Sequence, residues 1–391
     1  MSCKKKITIL GVTGSIGQST VKVILSQPEM FDVYAITAHK NVMQLAKDAK
    51  ALNAKIAIIA DDSLHDELEA LLHNTDINVL SGMKAIEDIC SHHVDLVMAA
   101  IMGFAGLRPI IKALEQGTNV AIANKEPLVA AGAEIMAIAR QNNAKILPVD
   151  SEHNAIFQVF ENSNRDAIDT LILTASGGPF LNWNKEDIDT ATPAQAIAHP
   201  NWEMGKKISV DSASMMNKAL EVIEAHYLFD MPVEKIKVLI HPQSTIHSMV
   251  SYKDGSILSQ MGASDMCTPI AYALAWPERM DSPGEKINLD VLSNLTFQQP
   301  DFQKFPALSY AYKCLDMGQH ACIAMNAANE VAVEHFLNGK ISFKDIIRCV
   351  SYAVDDLYPD ISYLSLKTIE DIEKLDNTVR NAVDNFTNTL L

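Results

Sequence analysis

Six short apolar runs alternate with helical stretches over the first 150 residues, and this alternation restricts the fold more than any other feature. The runs are KITIL, FDVYAITA, KIAIIA, VDLVMAA, NVAIA and KILPV; between them lie stretches such as SIGQSTVKVILSQ, NVMQLAKDAKAL and KEPLVAAGAEIMAIARQN. Apolar strands that alternate with helices predict a parallel, doubly wound α/β sheet covered on both faces. Downstream the pattern changes. TLILTASGGPF reads as a strand entering a glycine turn, KVLIHPQ as another strand, and STIHSMVSYKDGSILSQM as a hairpin about Lys-Asp-Gly. From about residue 302 the chain is mostly helical, as in NAANEVAVEHFLNGK, FKDIIRCVSYAVDDLY and TIEDIEKLDNTVRNAVDNF, which predicts a helical bundle.

The 391 residues exceed what one core accommodates. A formal charge of −16 argues against non-specific nucleic-acid binding and against an anionic membrane surface. Any phosphate-bearing ligand then needs a local positive site. The six cysteines are scattered, with no CxxC or Cys/His cluster, so they read as free thiols in a reducing compartment. The apolar run after MSCKKK is too short for a signal peptide, and none approaches the roughly 20 residues of a membrane span. These features predict a cytoplasmic protein.

ITILGVTGSIGQST sets Gly11, Gly14 and Gly17 between the first strand and the first helix. Glycines let the backbone approach a pyrophosphate, and a helix N-terminus offers it free N–H groups. The spacing is G-x-x-G-x-x-G, not the commoner G-x-G-x-x-G. The motif therefore draws its weight from its place in a Rossmann-like strand–helix turn. The second strand ends in Ala38-His39-Lys40-Asn41, with no acid to hold a free ribose hydroxyl. Lys40 suits a 2′-phosphate, which points to NADP, or is an ordinary exposed lysine.

PVDSEHNAIFQ follows the sixth run. Read as a continuation of that strand, Asp150 and Glu152 point to the same side, about 6.5–7 Å apart. Two anions there repel each other and lose hydration, so either water or a cation covers them. Glu221 offers a third carboxylate on the expected helix SMMNKALEVIEA, where Asn217 and Lys218 lie close to it at i,i+4 and i,i+3. Three carboxylates would make an all-oxygen site for Mg²⁺ or Mn²⁺. Taken alone, a helical Glu more often pairs with a Lys on a solvated face. Ser176, Ser212, Asn217 and Lys218 are candidate phosphate donors, although serines near glycine turns and before helices usually act as caps. His199 and Trp202 lie in a polar, turn-rich segment, either a lid or a surface loop. His241 and His247 read as structural histidines.

Taken in order, GVTGSIG, AIMGFAGL, ANKEPLV, LPVDSEHNAIFQ, SGGPF, HPNWEMGKKISVDSASMMNK, LEVIEA, IHPQSTIHSMV, DMCTPI and NAANEVAV are jointly specific. Across nearly the whole chain the sequence resembles the 1-deoxy-D-xylulose-5-phosphate reductoisomerase family. The resemblance implies an NADPH-binding domain in 1–150, a metal- and substrate-binding α+β catalytic domain with a flexible loop in 151–276, a linker in 277–301 and a C-terminal helical domain in 302–391. It implies Asp150, Glu152 and Glu221 as ligands of Mg²⁺ or Mn²⁺. Lys125, Ser151, Glu152, Ser176, His199, Ser212, Asn217, Lys218 and Glu221 would meet the sugar phosphate. Thr13, Gly14, Ser15, Ile16, Lys40, Asn41, Asn124, Glu126 and Gly205 would line the NADPH site. Lys125, Glu152 and His199 would be catalytic, and the protein a homodimer. The implied reaction is a skeletal rearrangement followed by hydride transfer from NADPH, within non-mevalonate isoprenoid synthesis. His39, Val12 and Pro127 depart from the family pattern, and none is an implied metal ligand. A plain NADP-dependent dehydrogenase of a phosphorylated sugar and a non-catalytic NADP-binding regulator are the competing readings.

Overall fold

The apolar runs near the N-terminus become β1 (Lys5–Leu10), β2 (Phe31–Ala38), β3 (Ile56–Ile59), β4 (Asn78–Ser81), β5 (Leu96–Ala99), β6 (Asn119–Ile122) and β7 (Ile146–Pro148). They come from a computed structural model that describes residues 4–390 apart from Asn201, Glu203, Leu292 and Ser293. The sheet order is β4-β3-β2-β1-β5-β6-β7, and every neighbouring pair is parallel. β4 has no counterpart among the six expected runs. NVLS has a polar residue at each end and lies at the sheet edge, where no second neighbour demands a continuous apolar run. The order reverses beside β1, the place where open parallel sheets form a crevice outside the strands' carboxyl ends. Ile7, Ile9, Ile36, Ala57, Leu96 and Met98 are buried in the core. Each large aliphatic side chain so buried contributes roughly 1.5–3 kcal/mol.

By contacts the chain forms two units. The first comprises Met1–Pro127, Ala133–Phe157 and Asp265–Lys286; the second comprises Leu128–Gly132, Gln158–Ser264 and Ile287–Leu391. Part of the expected linker thus belongs to the first unit. The helix Cys267–Ala275 packs on Ser15–Ser26, and its Ile270 and Leu274 join the sheet's core. Lys5 Nζ donates to Leu274 O at 2.7 Å and to Trp276 O at 3.0 Å. A cation on the last carbonyls complements the helix dipole.

The second unit contains β8 (Ile168–Ala175), β9 (Ile236–Ile240), β10 (Ile246–Tyr252) and β11 (Ile257–Met261), ordered β11-β10-β8-β9. β8 and β9 are parallel and the other pairs antiparallel. The β10–β11 hairpin turns where expected. Gly255 takes φ +90°, the Tyr252 N–H donates to Ser256 O at 2.9 Å, and the Ser256 N–H donates to Asp254 Oδ1 at 2.8 Å. The C-terminal helices include Ala307–Met317, Gln319–Leu337, Phe343–Ser351 and Ile369–Thr387. Reciprocal caps start two of them, Ser342 with Asp345 and Thr368 with Asp371. No helix among the described residues is long and apolar enough to cross a membrane.

The five cysteines among the described residues are buried free thiols. Burial pushes Cys90, Cys322 and Cys349 up to about 12 and Cys267 to about 11. The thiolate is the reactive form. At pH 8 the native protein is therefore expected to give a thiol reagent at most the equivalent from Cys3, which lies outside the described residues, and to release all six on denaturation. Prompt reaction of two or more native thiols would contradict this burial.

Candidate active site

Because β6 and β7 are adjacent and parallel, the segments that follow them emerge side by side. The first carries Lys125, at the N-cap of the helix Glu126–Gln141. The second does not continue as a strand to Glu152, as the sequence reading expected. β7 ends at Pro148 and a helix, Ser151–Val159, starts at once. Asp150 O accepts the Asn154 N–H at 2.8 Å, the first intrahelical bond. Asp150 therefore sits at the N-cap and Glu152 in the first turn, where free N–H groups and the helix dipole favour anions. Proline cannot donate to the ladder, and Asp-Ser-Glu is a helix-start pattern.

That dipole offers only roughly 0.3–1 kcal/mol per charge at exposed sites, and Asp150 is largely buried. Its Oδ2 lies 3.1 Å from Lys125 Nζ, with the two side chains 15% and 9% exposed. His153 Nδ1, on a fully buried ring one turn along, is 3.3 Å from the same oxygen. Sequence reasoning passed over His153; its i,i+3 relation to Asp150 becomes visible once the helix start is placed. Ser151 Oγ donates to Glu152 Oε2 at 2.6 Å. Asn154 Nδ2 secures the turn by donating to Pro148 O at 2.8 Å and Pro269 O at 3.3 Å.

The glycine loop lies in the same unit. Gly11 has φ +78°, and a Cβ there would stand 2.5 Å from Ala100 O; a Cβ on Gly17 would stand 2.3 Å from Val12 O. Both positions exclude any side chain. Gly14 caps the helix Ser15–Ser26 with no side chain on its N–H groups and no acid in its first turn. Gly14 and Ser15 are exposed, with Thr13 and Ile16 half-buried beside them. This fits a pyrophosphate. Past β2, Lys40 is exposed and 3.9 Å from Asp61 Oδ2. Asn41 caps the helix Val42–Ala51, Oδ1 accepting the Gln44 N–H at 3.2 Å. Asn124 and buried Glu126 flank Lys125 after β6. Gly205 belongs to the second unit, as N-cap of the helix Lys206–Ala213.

Also in the second unit, Glu221 is fully buried on the helix Met216–Phe229. Asn217 Nδ2 donates to its Oε1 at 2.5 Å, and Lys218 Nζ pairs with its Oε2. The expected Lys218–Glu221 proximity exists, but on a buried face rather than a solvated one. Ser176 Oγ follows β8, accepts the Gly178 N–H at 3.1 Å, and lies 3.0 Å from His199 Nε2. His199 Nδ1 accepts the Trp202 N–H at 3.0 Å, which assigns the neutral ring's proton to Nε2. Gly178 has φ +66°, and its absent Cβ would meet Ser212 O at 2.6 Å, so the glycine turn abuts the Ser212 backbone. In the expected lid segment, Asn201 and Glu203 lie outside the described residues. His241 is structural, as expected: Nδ1 lies 2.9 Å from Thr296 O, and Nε2 accepts the Thr245 N–H.

Three family models match in succession. They are described as 1-deoxy-D-xylulose 5-phosphate reductoisomerase over residues 7–132, its C-terminal domain over 146–229, and DXP reductoisomerase C-terminal domain over 261–382. The chain belongs to the 1-deoxy-D-xylulose 5-phosphate reductoisomerase family. The reductoisomerase of Zymomonas mobilis is 46% identical over 380 residues, covering 97% of each chain. That of Rhodospirillum centenum is 48% identical over 376 residues, 96% of this chain and 92% of its own. Among solved structures, the Zymomonas mobilis reductoisomerase in complex with NADPH superposes with a TM-score of 0.91 at 43% identity. A DOX-P reductoisomerase in complex with NADPH, fosmidomycin and magnesium does so at 0.95 and 40%. Each match covers 99% of both chains.

With Glu221 and Lys218 buried together, the loss of either partner alone should be strongly destabilising. Removing one charge of such a pair costs about 3–5 kcal/mol, and replacing both with apolar groups costs far less. Denaturant unfolding of metal-free Glu221→Leu, Lys218→Met and the double variant is expected to show strong coupling. Additive losses would contradict the pairing.

Proposed function

We propose that this chain converts 1-deoxy-D-xylulose 5-phosphate to 2-C-methyl-D-erythritol 4-phosphate, using NADPH and a divalent cation, Mg²⁺ or Mn²⁺. The observation that carries the reading is a set of three carboxylates, Glu221 fully buried and Asp150 and Glu152 half-buried, each answered by a local donor. Asp150 faces Lys125, Glu152 takes the Ser151 hydroxyl, and Glu221 takes Lys218 and Asn217. Asp150, Glu152 and Glu221 would hold the cation, a hard-oxygen donor set suited to Mg²⁺ or Mn²⁺. Bound, the cation supplies Lewis-acid polarisation of the substrate's ketone and neighbouring hydroxyl, and NADPH supplies the hydride that reduces the rearranged aldehyde.

The chain's own residues do the rest. Lys125 Nζ brings a positive charge to the reacting oxygens and a proton that can be exchanged with them. The Ser151 hydroxyl orients Glu152. Ser176, His199 through its Nε2–H, Ser212, Asn217 and Lys218 bind the phosphate and the sugar hydroxyls. Thr13, Gly14, Ser15 and Ile16 receive the pyrophosphate, with Asn124, Glu126 and Gly205 completing the NADPH site. Lys40 and Asn41 take the adenosine end. The functional division is NADPH binding in 1–150, catalysis in 151–276 and C-terminal helices in 302–391, with the linker confined to 287–301 because 277–286 belong to the first unit. The enzyme acts as a cytoplasmic homodimer within non-mevalonate isoprenoid synthesis.

A plain dehydrogenase leaves the three carboxylates without a purpose, and a regulator needs neither them nor Lys125. Following NADPH absorbance with 1-deoxy-D-xylulose 5-phosphate and Mg²⁺ or Mn²⁺ decides among the three. Oxidation that EDTA abolishes is expected. Oxidation indifferent to EDTA favours the dehydrogenase, and binding without turnover favours the regulator. Lys40→Ala is expected to raise KM for NADPH about tenfold, the worth of one charged contact, while leaving KM for NADH nearly unchanged. Equal shifts for both cofactors would remove Lys40 from the 2′-phosphate.

A further inference from the structure

The NAANE motif carries no binding role above, yet it is the most deeply buried polar stretch of the C-terminal helices. Asn326 and Asn329 lie on the helix Gln319–Leu337 and are fully buried, unusual for asparagine. Asn329 Nδ2 donates to Asp211 Oδ1 at 2.8 Å, across 118 residues of sequence. Asp211 is also buried and pairs with Lys207 at 2.8 Å. Asn329 Oδ1 accepts no hydrogen bond from the described residues. A buried carbonyl in that state is a cost that an apolar side chain of the same size would not carry. The amide therefore earns its position through its bond to Asp211.

That bond fastens a particular corner. Asp211 lies on the helix Lys206–Ala213, next to Ser212. The Ser214 hydroxyl donates to Asp211 O at 3.2 Å and accepts the Met216 N–H at 3.3 Å. Between them Met215 takes φ +62°, and the helix bearing Asn217, Lys218 and Glu221 begins. Both arms of the corner carry groups assigned above to the sugar phosphate. The long helix is itself tied to the helix Ile369–Thr387 by Arg380, which joins Glu330 at 2.7 Å, while Asn326 Nδ2 donates to the same Glu330 at 3.1 Å within the long helix.

We infer that Asn329 is a positioning residue for sugar-phosphate binding, acting through Asp211 to set the corner that presents Ser212, Asn217 and Lys218. The inference rests on the reading of those three as substrate contacts. It assigns to the C-terminal helices a part in substrate affinity although they carry none of the proposed contacts.

The test is direct binding by calorimetry of 1-deoxy-D-xylulose 5-phosphate and, separately, of NADPH, with melting temperature recorded for each variant. Asn329→Leu is expected to weaken sugar-phosphate binding about tenfold or more and to leave NADPH binding as in the parent. The exchange variant Asp211→Asn with Asn329→Asp keeps a carboxylate–amide bond and is expected to recover most of the loss. It also keeps the test decisive if Asn329→Leu fails to fold. Unchanged sugar-phosphate affinity in Asn329→Leu overturns the inference alone. So do parallel losses of both ligands that follow the melting temperature, and an exchange variant that folds without recovering affinity. A parent protein that binds NADPH but no sugar phosphate overturns the functional reading and this inference with it.

Discussion

A carboxylate taken out of water needs a cation or several hydrogen-bond donors, and the chemistry of this chain is organised around that requirement. Asp150 is met by Lys125 and Glu221 by Lys218, in each case within one contact unit. The helix N-terminus at Ser151 favours the first anion but is too weak alone to hold it once buried. Lysine supplies the opposite charge that each such carboxylate needs.

The sheet explains why the first of these pairs exists. Parallel strands deliver their following segments to one edge, so the ends of β6 and β7 bring Lys125 and Asp150 together from residues 25 apart in sequence. The same edge carries the glycine loop after β1. There, packing excludes side chains at Gly11 and Gly17 and leaves Gly14 as a bare helix cap. Nucleotide binding and carboxylate placement thus draw on one property of the fold, the shared direction of its strands.

Much of this was legible in the sequence. The long apolar strands, the glycine loop and the Lys-Asp-Gly hairpin rest on local patterns, and local patterns survive folding. β4 was not legible, because NVLS is short and edge strands need little hydrophobicity. Asp150 and Glu152 were identified as residues, but their geometry was misread. The apolar run pulled the strand past Pro148, although the proline and the Asp-Ser-Glu start both marked a helix. The return of Asp265–Lys286 to the first unit and the Asn329–Asp211 bond had no local signal at all, since each depends on partners more than a hundred residues away.

The most direct test of the account is Mn²⁺ binding followed by electron paramagnetic resonance in the parent protein and in Asp150→Asn, Glu152→Gln and Glu221→Gln. The account predicts stoichiometric binding by the parent and a marked loss in each variant. Parent-like affinity in all three would show that these carboxylates serve only their lysine and serine partners and are not a metal site.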